Sequence, residues 1–255
     1  MKTTPFFSVI YEDDRIIAVN KQSGIAVSAD RWDDSQYRLD TLVSDILPPG
    51  SRIFKVHRID KDTSGLVVFA KTSDCHRRLS LAFEDRQVEK RYIAVVHGRP
   101  SWKETACDLP LVPNGNKRHM TIIDKFHGKK SLTKFRLLVS AGNYSVLEAV
   151  PETGRTHQIR VHAAALGFPI VCDSLYGSDK PVLLSSFKRN WRGDPLEEKP
   201  LLSRLGLHAA ELRIPSEVFG ESADALRLEA PLSRDIAALI KQMEKQAAIR
   251  LSASD

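Results

Sequence analysis

An α+β fold, with a mixed and largely antiparallel central sheet flanked by helices and loops, is what this sequence predicts. Two observations carry the prediction: strand-like runs outnumber helical ones, and they pair as hairpins rather than alternating with helices. The 255 residues, 42% hydrophobic and 27% charged, can bury a sizeable core as ordinary globular chains do. We expect one domain over 1–255, its core spanning about residues 8–230 and followed by a helix over about 232–248.

Val9-Ile10-Tyr11 and Ile16-Ile17-Ala18-Val19 flank Glu12-Asp13-Asp14-Arg15, the pattern of a hairpin with an acidic turn. A polar loop passes through Asp30-Arg31-Trp32-Asp33-Asp34. Leu39, Leu42, Val43 and Ile46 then recur at helical spacing until Pro48-Pro49-Gly50. The run Leu66-Val67-Val68-Phe69-Ala70 is apolar throughout and bounded by turn formers, the mark of a buried strand. Ser73 is placed as the N-cap of a helix to Asp85, with Leu79, Ala82 and Phe83 on its inner face. A strand over 90–98 ends at Gly98, and residues 99–130, rich in Pro, Gly and charge, form an excursion with short β-runs. A second hairpin turns at Ala141-Gly142-Asn143, between strands over 131–139 and 144–150. Gly154 opens a helix over 155–166 whose Ile159, Val161 and Ala163 face inward. A long irregular loop over 177–204 follows, then strands over 207–214 and 225–229. A terminal helix is marked by Ile236, Leu239, Ile240 and Met243, and the last residues fray.

The net charge of +6 and the pI of about 9.2 permit a polyanionic partner. Basic residues cluster at Arg77-Arg78, Lys117-Arg118-His119, Lys125 with Lys129-Lys130, and Lys188-Arg189 with Arg192. One such cluster is an ordinary solvated face; several together favour RNA or DNA. No apolar run reaches the roughly 18 residues of a membrane span, and the N-terminus lacks the features of a signal peptide. Cys75, Cys107 and Cys172 are scattered and odd in number, which fits a reducing cytoplasm. The sequence holds no G-x-G-x-x-G, no Walker-type loop and no paired C-x-x-C.

The stretch Val56-His57-Arg58-Ile59-Asp60-Lys61-Asp62-Thr63-Ser64-Gly65 runs into the buried strand, which places a charged loop at one end of the sheet. Its bland reading is a hydrogen-bonded turn in which Asp60 or Asp62 caps the chain and Arg58 pairs with a carboxylate. Composition alone favours that reading. Tyr92, in Lys90-Arg91-Tyr92, and Arg155, in Gly154-Arg155-Thr156-His157-Gln158-Ile159-Arg160, join Asp60 as candidates. Singly they are a packed ring and an anion-binding arginine. His157 and His162 lack the i, i+4 spacing of a helical metal pair, so no metal site is expected.

Together these stretches form a recognisable set. The first closely resembles the H-R-L-D-x-x-T-S-G signature of pseudouridine synthases of the RluA type, with Ile59 where leucine is usual. Tyr11-Glu12-Asp13-Asp14 through Asn20-Lys21-Gln22-Ser23-Gly24 resembles the family's N-terminal hairpin, with Gln22 where proline is commoner. Lys90-Arg91-Tyr92 with His97-Gly98 resembles its tyrosine motif, and Gly154 to His162 its arginine motif. Asp173-Ser174-Leu175-Tyr176-Gly177 and Leu207-His208-Ala209 resemble its later motifs. Any one match can arise by chance; their order along the chain is the specific signal.

The resemblance implies a pseudouridine synthase-like fold and isomerisation of a uridine in structured rRNA or tRNA. The N1–C1′ bond breaks and the base rejoins through C5, with no cofactor and no metal. Asp60 is implied as the nucleophile, a role that carboxylates also fill against electron-poor sugar carbons. Arg155 is its partner, since a guanidinium favours the ionised carboxylate in a shielded site. Tyr92 lies against the target base. Arg58 occupies the space left by the flipped nucleotide or holds it. His57, Thr63 and Arg160 join Arg58 among the RNA- and base-binding residues, with His57, Thr63 and Ser64 shaping the loop by hydrogen bonds rather than reacting.

Several relatives carry a small RNA-binding domain before the catalytic region. Here the first strand begins near Ser8, so no separate N-terminal RNA-binding domain is expected. RNA affinity is then expected from Arg77-Arg78, the 117–130 excursion and the 188–192 loop, contacts that position RNA and respond to salt. RNA is the expected partner of a monomer, with no membrane and no obligate protein partner. The alternatives are a non-catalytic RNA-binding or chaperone protein that keeps the fold, and a glycosidase using Asp62 as a second carboxylate. Asp60, Tyr92 and Arg155 all being intact favours the enzyme.

Overall fold

The computed structural model describes residues 4–29, 37–116, 120–188, 190–220 and 224–251, with side chains to residue 248. In chain order it runs β1 (Phe7–Glu12), β2 (Ile16–Lys21), α1 (Leu39–Asp45), β3 (Phe54–Lys55), β4 (Ser64–Ala70), α2 (Ser73–Glu84), β5 (Glu89–His97) and β6 (Glu104–Cys107). There follow β7 (Leu111–Val112), β8 (Ile122–Ile123), β9 (Thr133–Ala141), β10 (Tyr144–Pro151), α3 (Gln158–Ala165), β11 (Leu207–Ile214), β12 (Leu226–Glu229) and α4 (Arg234–Leu251). The expected polar loop through residues 30–34, the Lys117-Arg118-His119 cluster and Arg189 lie outside the described residues. The chain makes two compact units, Met1–Arg91 with His208–Pro231, and Tyr92–Leu207 with Leu232–Asp255.

The first unit is a mixed sheet in the order β1-β2-β4-β11. β2 is antiparallel to β1 and to β4, whereas β4 meets β11 in parallel through Ser64↔His208 and Gly65↔Ala209. β3 is antiparallel to β4, and β12 to β11. Every residue of β2 and of β4 is buried, which explains a continuous apolar run where a half-exposed strand would alternate. Ile16, Ala18, Leu66, Val68 and Ala70 pack on Cys75, Leu79 and Ala82 of α2. The cap of α2 is Thr72 rather than Ser73: its extended backbone lets Oγ1 accept from the Cys75 N–H at 3.2 Å.

The second unit is antiparallel, in the order β5-β10-β9-β6. The excursion therefore contributes a sheet strand, β6, and also the separate β7–β8 hairpin. Ala94, Val96, Phe135, Leu147 and Ala149 pack on Ile159 and Ala163 of α3. Val95, Ala141 and Val146 pack on Ile236, Leu239 and Met243 of α4. Two residues of the long 177–204 loop, Val182 and Leu202, are buried in that second cluster and bonded to each other. α3 begins at Gln158, three residues later than expected, because His157 takes a left-handed φ of 53° that a helix cannot contain. Thr156 and His157 thus precede the helix. Among the described residues no helix is long and apolar enough to cross a membrane.

Candidate active site

Residues 56–63 connect β3 to β4. Ile59 is buried in the core, while Arg58 is exposed and Asp60 half-buried. The Thr63 N–H donates to the Asp60 carbonyl at 3.1 Å, closing a turn directly after the carboxylate. The end of the β1–β2 hairpin holds this turn in place. Lys21 is fully buried, and its Nζ donates to the carbonyls of Gln22 at 2.8 Å, Ile25 at 2.9 Å and Lys61 at 2.9 Å. Three acceptors for three ammonium protons make a charge tolerable away from water. The Gly24 N–H also donates to Lys61 O at 2.9 Å, and Ser23 Oγ to Asp62 O at 2.6 Å.

The far end of the loop is fixed to β11. Ser64 Oγ lies 2.9 Å from His208 Nδ1. Gly65 has φ +114°, and a Cβ there would fall 2.2 Å from the Ala209 carbonyl oxygen, so only glycine lets the two strands close. His57 Nε2 accepts from the Val68 N–H at 2.9 Å, and its ring stacks on Phe83 at 4.6 Å. Part of the residue remains accessible, but the ring is enclosed. Burial pushes its pKa down to about 3, and the Lys90 charge adds to the effect. His57 is therefore neutral and an acceptor.

In the second unit, Tyr92 lies on β5 opposite Ala149 of β10 and packs against the core on the α3 side. Arg155 sits in the left-handed turn before α3, and Gln158 builds that turn. Gln158 Oε1 accepts from the Arg155 N–H at 3.0 Å and from Thr153 Oγ1 at 2.6 Å, while Nε2 donates to Leu132 O at 3.0 Å and Thr133 Oγ1 at 2.9 Å. Arg155 Nε donates to Lys130 O at 3.2 Å. One turn on, Arg160 forms two 2.8 Å bonds to Asp173 with its side chain 5% exposed. Burial would raise the Asp173 carboxyl, but the Arg160 guanidinium and the Leu175 and Tyr176 N–H groups outweigh it and hold it below its ordinary value. The Tyr176 ring lies under Arg160, and its hydroxyl accepts from the Thr121 N–H at 2.8 Å and meets His157 Nδ1 at 2.9 Å.

Residues 15–165, more than half of the chain and inclusive of Asp60, Tyr92 and Arg155, match the family model described as RNA pseudouridylate synthase. The chain belongs to that family. As an RNA pseudouridine synthase it is an isomerase that converts uridine in RNA to pseudouridine. It is 32% identical to the ribosomal large subunit pseudouridine synthase D of Zymomonas mobilis, over 92% of this chain and 72% of that one. It is 33% identical to the dual-specificity RNA pseudouridine synthase RluA of Escherichia coli K12, over 86% of this chain and 91% of that one. Its fold matches the solved structure of human RNA pseudouridylate synthase domain containing 4, with a TM-score of 0.68, 22% identity and 92% of each chain covered. A second human structure, domain containing 1, matches with a TM-score of 0.65 and 24% identity, over 96% of this chain and 98% of that one.

Within this synthase the expected residues divide between the units. Asp60, Arg58, His57 and Thr63 belong to the first; Tyr92, Arg155 and Arg160 belong to the second. Two expected RNA contacts are turned inward. His57 has its Nε2 and a ring face engaged within the protein, and Nε and Nη2 of Arg160 are directed at the buried Asp173 carboxylate. Thr63 is 1% exposed, and its hydroxyl has no hydrogen-bond partner among the described residues. Sequence reasoning gave no role to Lys21, Gln158 or Tyr176. The one available signal was their place inside otherwise matching motifs.

Proposed function

We propose that Asp60 acts at C1′ of a uridine turned out of structured RNA, with Arg155 balancing its charge and Tyr92 against the base. As the N1–C1′ bond breaks, the uracil is retained and turned so that C5 faces C1′. A C5–C1′ bond then forms, C5 loses its proton and N1 gains one, so the atoms balance without a cofactor. Arg58, exposed two residues before Asp60, contacts the flipped nucleotide or fills the gap it leaves. Thr63, 1% exposed, shapes the Asp60 loop from within, and His57 and Arg160 position the two motifs.

The observation that carries this reading is the anchoring of the Asp60 turn. A carboxylate acting on one sugar carbon needs a fixed backbone, and Lys21, Ser23, Gly24 and Ser64 supply it. RNA affinity comes from the catalytic domain's own exposed cations, Lys125, Lys129, Lys130, Lys188 and Arg192. The substrate is rRNA or tRNA, the ribosomal class being the one named for the Zymomonas mobilis relative, and the enzyme acts in the cytoplasm as a monomeric single domain, with RNA its sole required partner.

The test is incubation with unmodified rRNA and tRNA, followed by mapping of pseudouridine at nucleotide resolution. Wild type should modify a defined uridine, and Asp60→Asn should bind the same RNA without product. RNA binding without product from wild type would instead favour a non-catalytic RNA-binding protein.

A further inference from the structure

We propose that Phe126, in the turn that follows β8, is a stacking platform for an unpaired base near the target uridine. The inference rests on the RNA-modifying reading above and deepens it by naming a residue and a class of contact. Phe126 is 93% exposed. One exposed aromatic is ordinary by itself, but three features set this ring apart.

The turn is pre-shaped. Asp124 Oδ1 accepts from the N–H of Phe126 at 2.8 Å and of His127 at 3.0 Å, while Oδ2 lies 3.1 Å from His127 Nδ1. The Gly128 N–H closes the turn onto Asp124 O at 2.9 Å, and a Cβ on Gly128 would meet that same oxygen at 2.3 Å. A ring on so constrained a turn loses little freedom on binding.

The surroundings are cationic. Lys125, Lys129 and Lys130 are exposed in the same segment, and the carboxylate beside them, Asp124, is occupied by the turn. Among the described residues of the 111–130 segment the other exposed large hydrophobic side chain is Ile123, at 38%, which is too little for a protein-docking face. An aromatic face among lysines matches a flat base carried on a phosphate chain.

Both ends of the segment are tied to the arginine motif. Thr121 N–H reaches Tyr176 Oη, which meets His157, and Lys130 O accepts from Arg155 Nε. Four residues of chain separate Phe126 from Lys130, a span of at most about 14 Å. The ring therefore serves a nucleotide flanking the target. Unpaired bases expose their faces, whereas bases in a duplex do not.

The experiment measures affinity and product for wild type, Phe126→Ala and Phe126→Tyr on unmodified rRNA and tRNA, with a perfect RNA duplex as control. Phe126→Ala should weaken binding about 5- to 150-fold, the equivalent of the roughly 1–3 kcal/mol of a base–aromatic stack. Phe126→Tyr should stay close to wild type, and binding to the duplex should be unaffected. Wild-type RNA affinity in Phe126→Ala overturns the proposal and points the ring to a protein contact, and an equal loss on the duplex overturns it as well. Absence of pseudouridine from the wild-type reaction refutes the functional reading instead, and binding then decides Phe126 alone.

Discussion

Lys21 places a cation where no water reaches, and its three carbonyl acceptors belong to both the hairpin end and the Asp60 loop. Lys21→Met removes the donor; the Lys61 carbonyl keeps the Gly24 N–H, whereas those of Gln22 and Ile25 lose the ammonium. At about 1–3 kcal/mol for each of these two, a loss of roughly 2–6 kcal/mol is expected, read from the urea midpoint. His57 adds a pH dependence of known sign. Its pKa is about 3 in the folded protein and near 6.5 unfolded. The unfolded chain thus binds the extra proton in that interval. The stability this histidine contributes is fully present above about pH 6.5 and falls as the pH drops toward 3, with a limiting slope of about 1.4 kcal/mol per pH unit. Burial also lowers His97 and His162, which act in the same direction. The measurement is therefore a difference: between pH 7 and pH 4.5, wild type should lose more stability than His57→Gln. Equal losses would remove His57 from the account.

At the level of elements, the closest constraint is the parallel approach of β4 to β11. Gly65→Ala would need a Cβ 2.2 Å from backbone oxygen at a φ of +114°. It should cost more than about 4 kcal/mol, seen as loss of soluble folded protein or a large fall in melting temperature. A near-neutral Gly65→Ala would mean that the strands separate more easily than this geometry allows. The elements also show what could be foreseen. β4 was legible because its five-residue apolar run is buried on both faces, and α2 because Leu79 and Ala82 recur on one face. β6 was not, because Glu104-Thr105-Ala106-Cys107 is half exposed and becomes a strand through pairing with β9. The start of α3 was misplaced for a similar reason: Gln158 sets the turn through Leu132 and Thr133, far away in sequence. Nothing local marks Lys21 for burial, because its ammonium is satisfied partly by Lys61, forty residues on. Asp60, Tyr92 and Arg155 stand out as candidates through their motifs, whereas the side chains that hold the Asp60 and Arg155 turns carry no such mark.

For the whole molecule, the net charge of +6 matters by where its cations are left available. Arg77 and Arg78 both pair with Asp74 on α2, at 3.3 and 2.8 Å, which lowers the field they offer a phosphate. Lys125 and Lys129 stand exposed near Phe126, and the neighbouring Asp124 faces the turn rather than either lysine. Phosphate contacts should accordingly concentrate on the turn after β8 rather than on α2. Counterion release turns that into a number: each single-stranded phosphate contact contributes about 0.7 to the slope of log affinity against log salt. The Lys125→Ala/Lys129→Ala double variant should therefore lower the slope by about 1.4 between roughly 50 and 200 mM salt, and weaken binding to different RNA sequences alike. Arg77→Ala should leave the slope close to wild type. A slope that drops for Arg77→Ala but not for the lysine pair would move the RNA path onto α2 and away from Phe126.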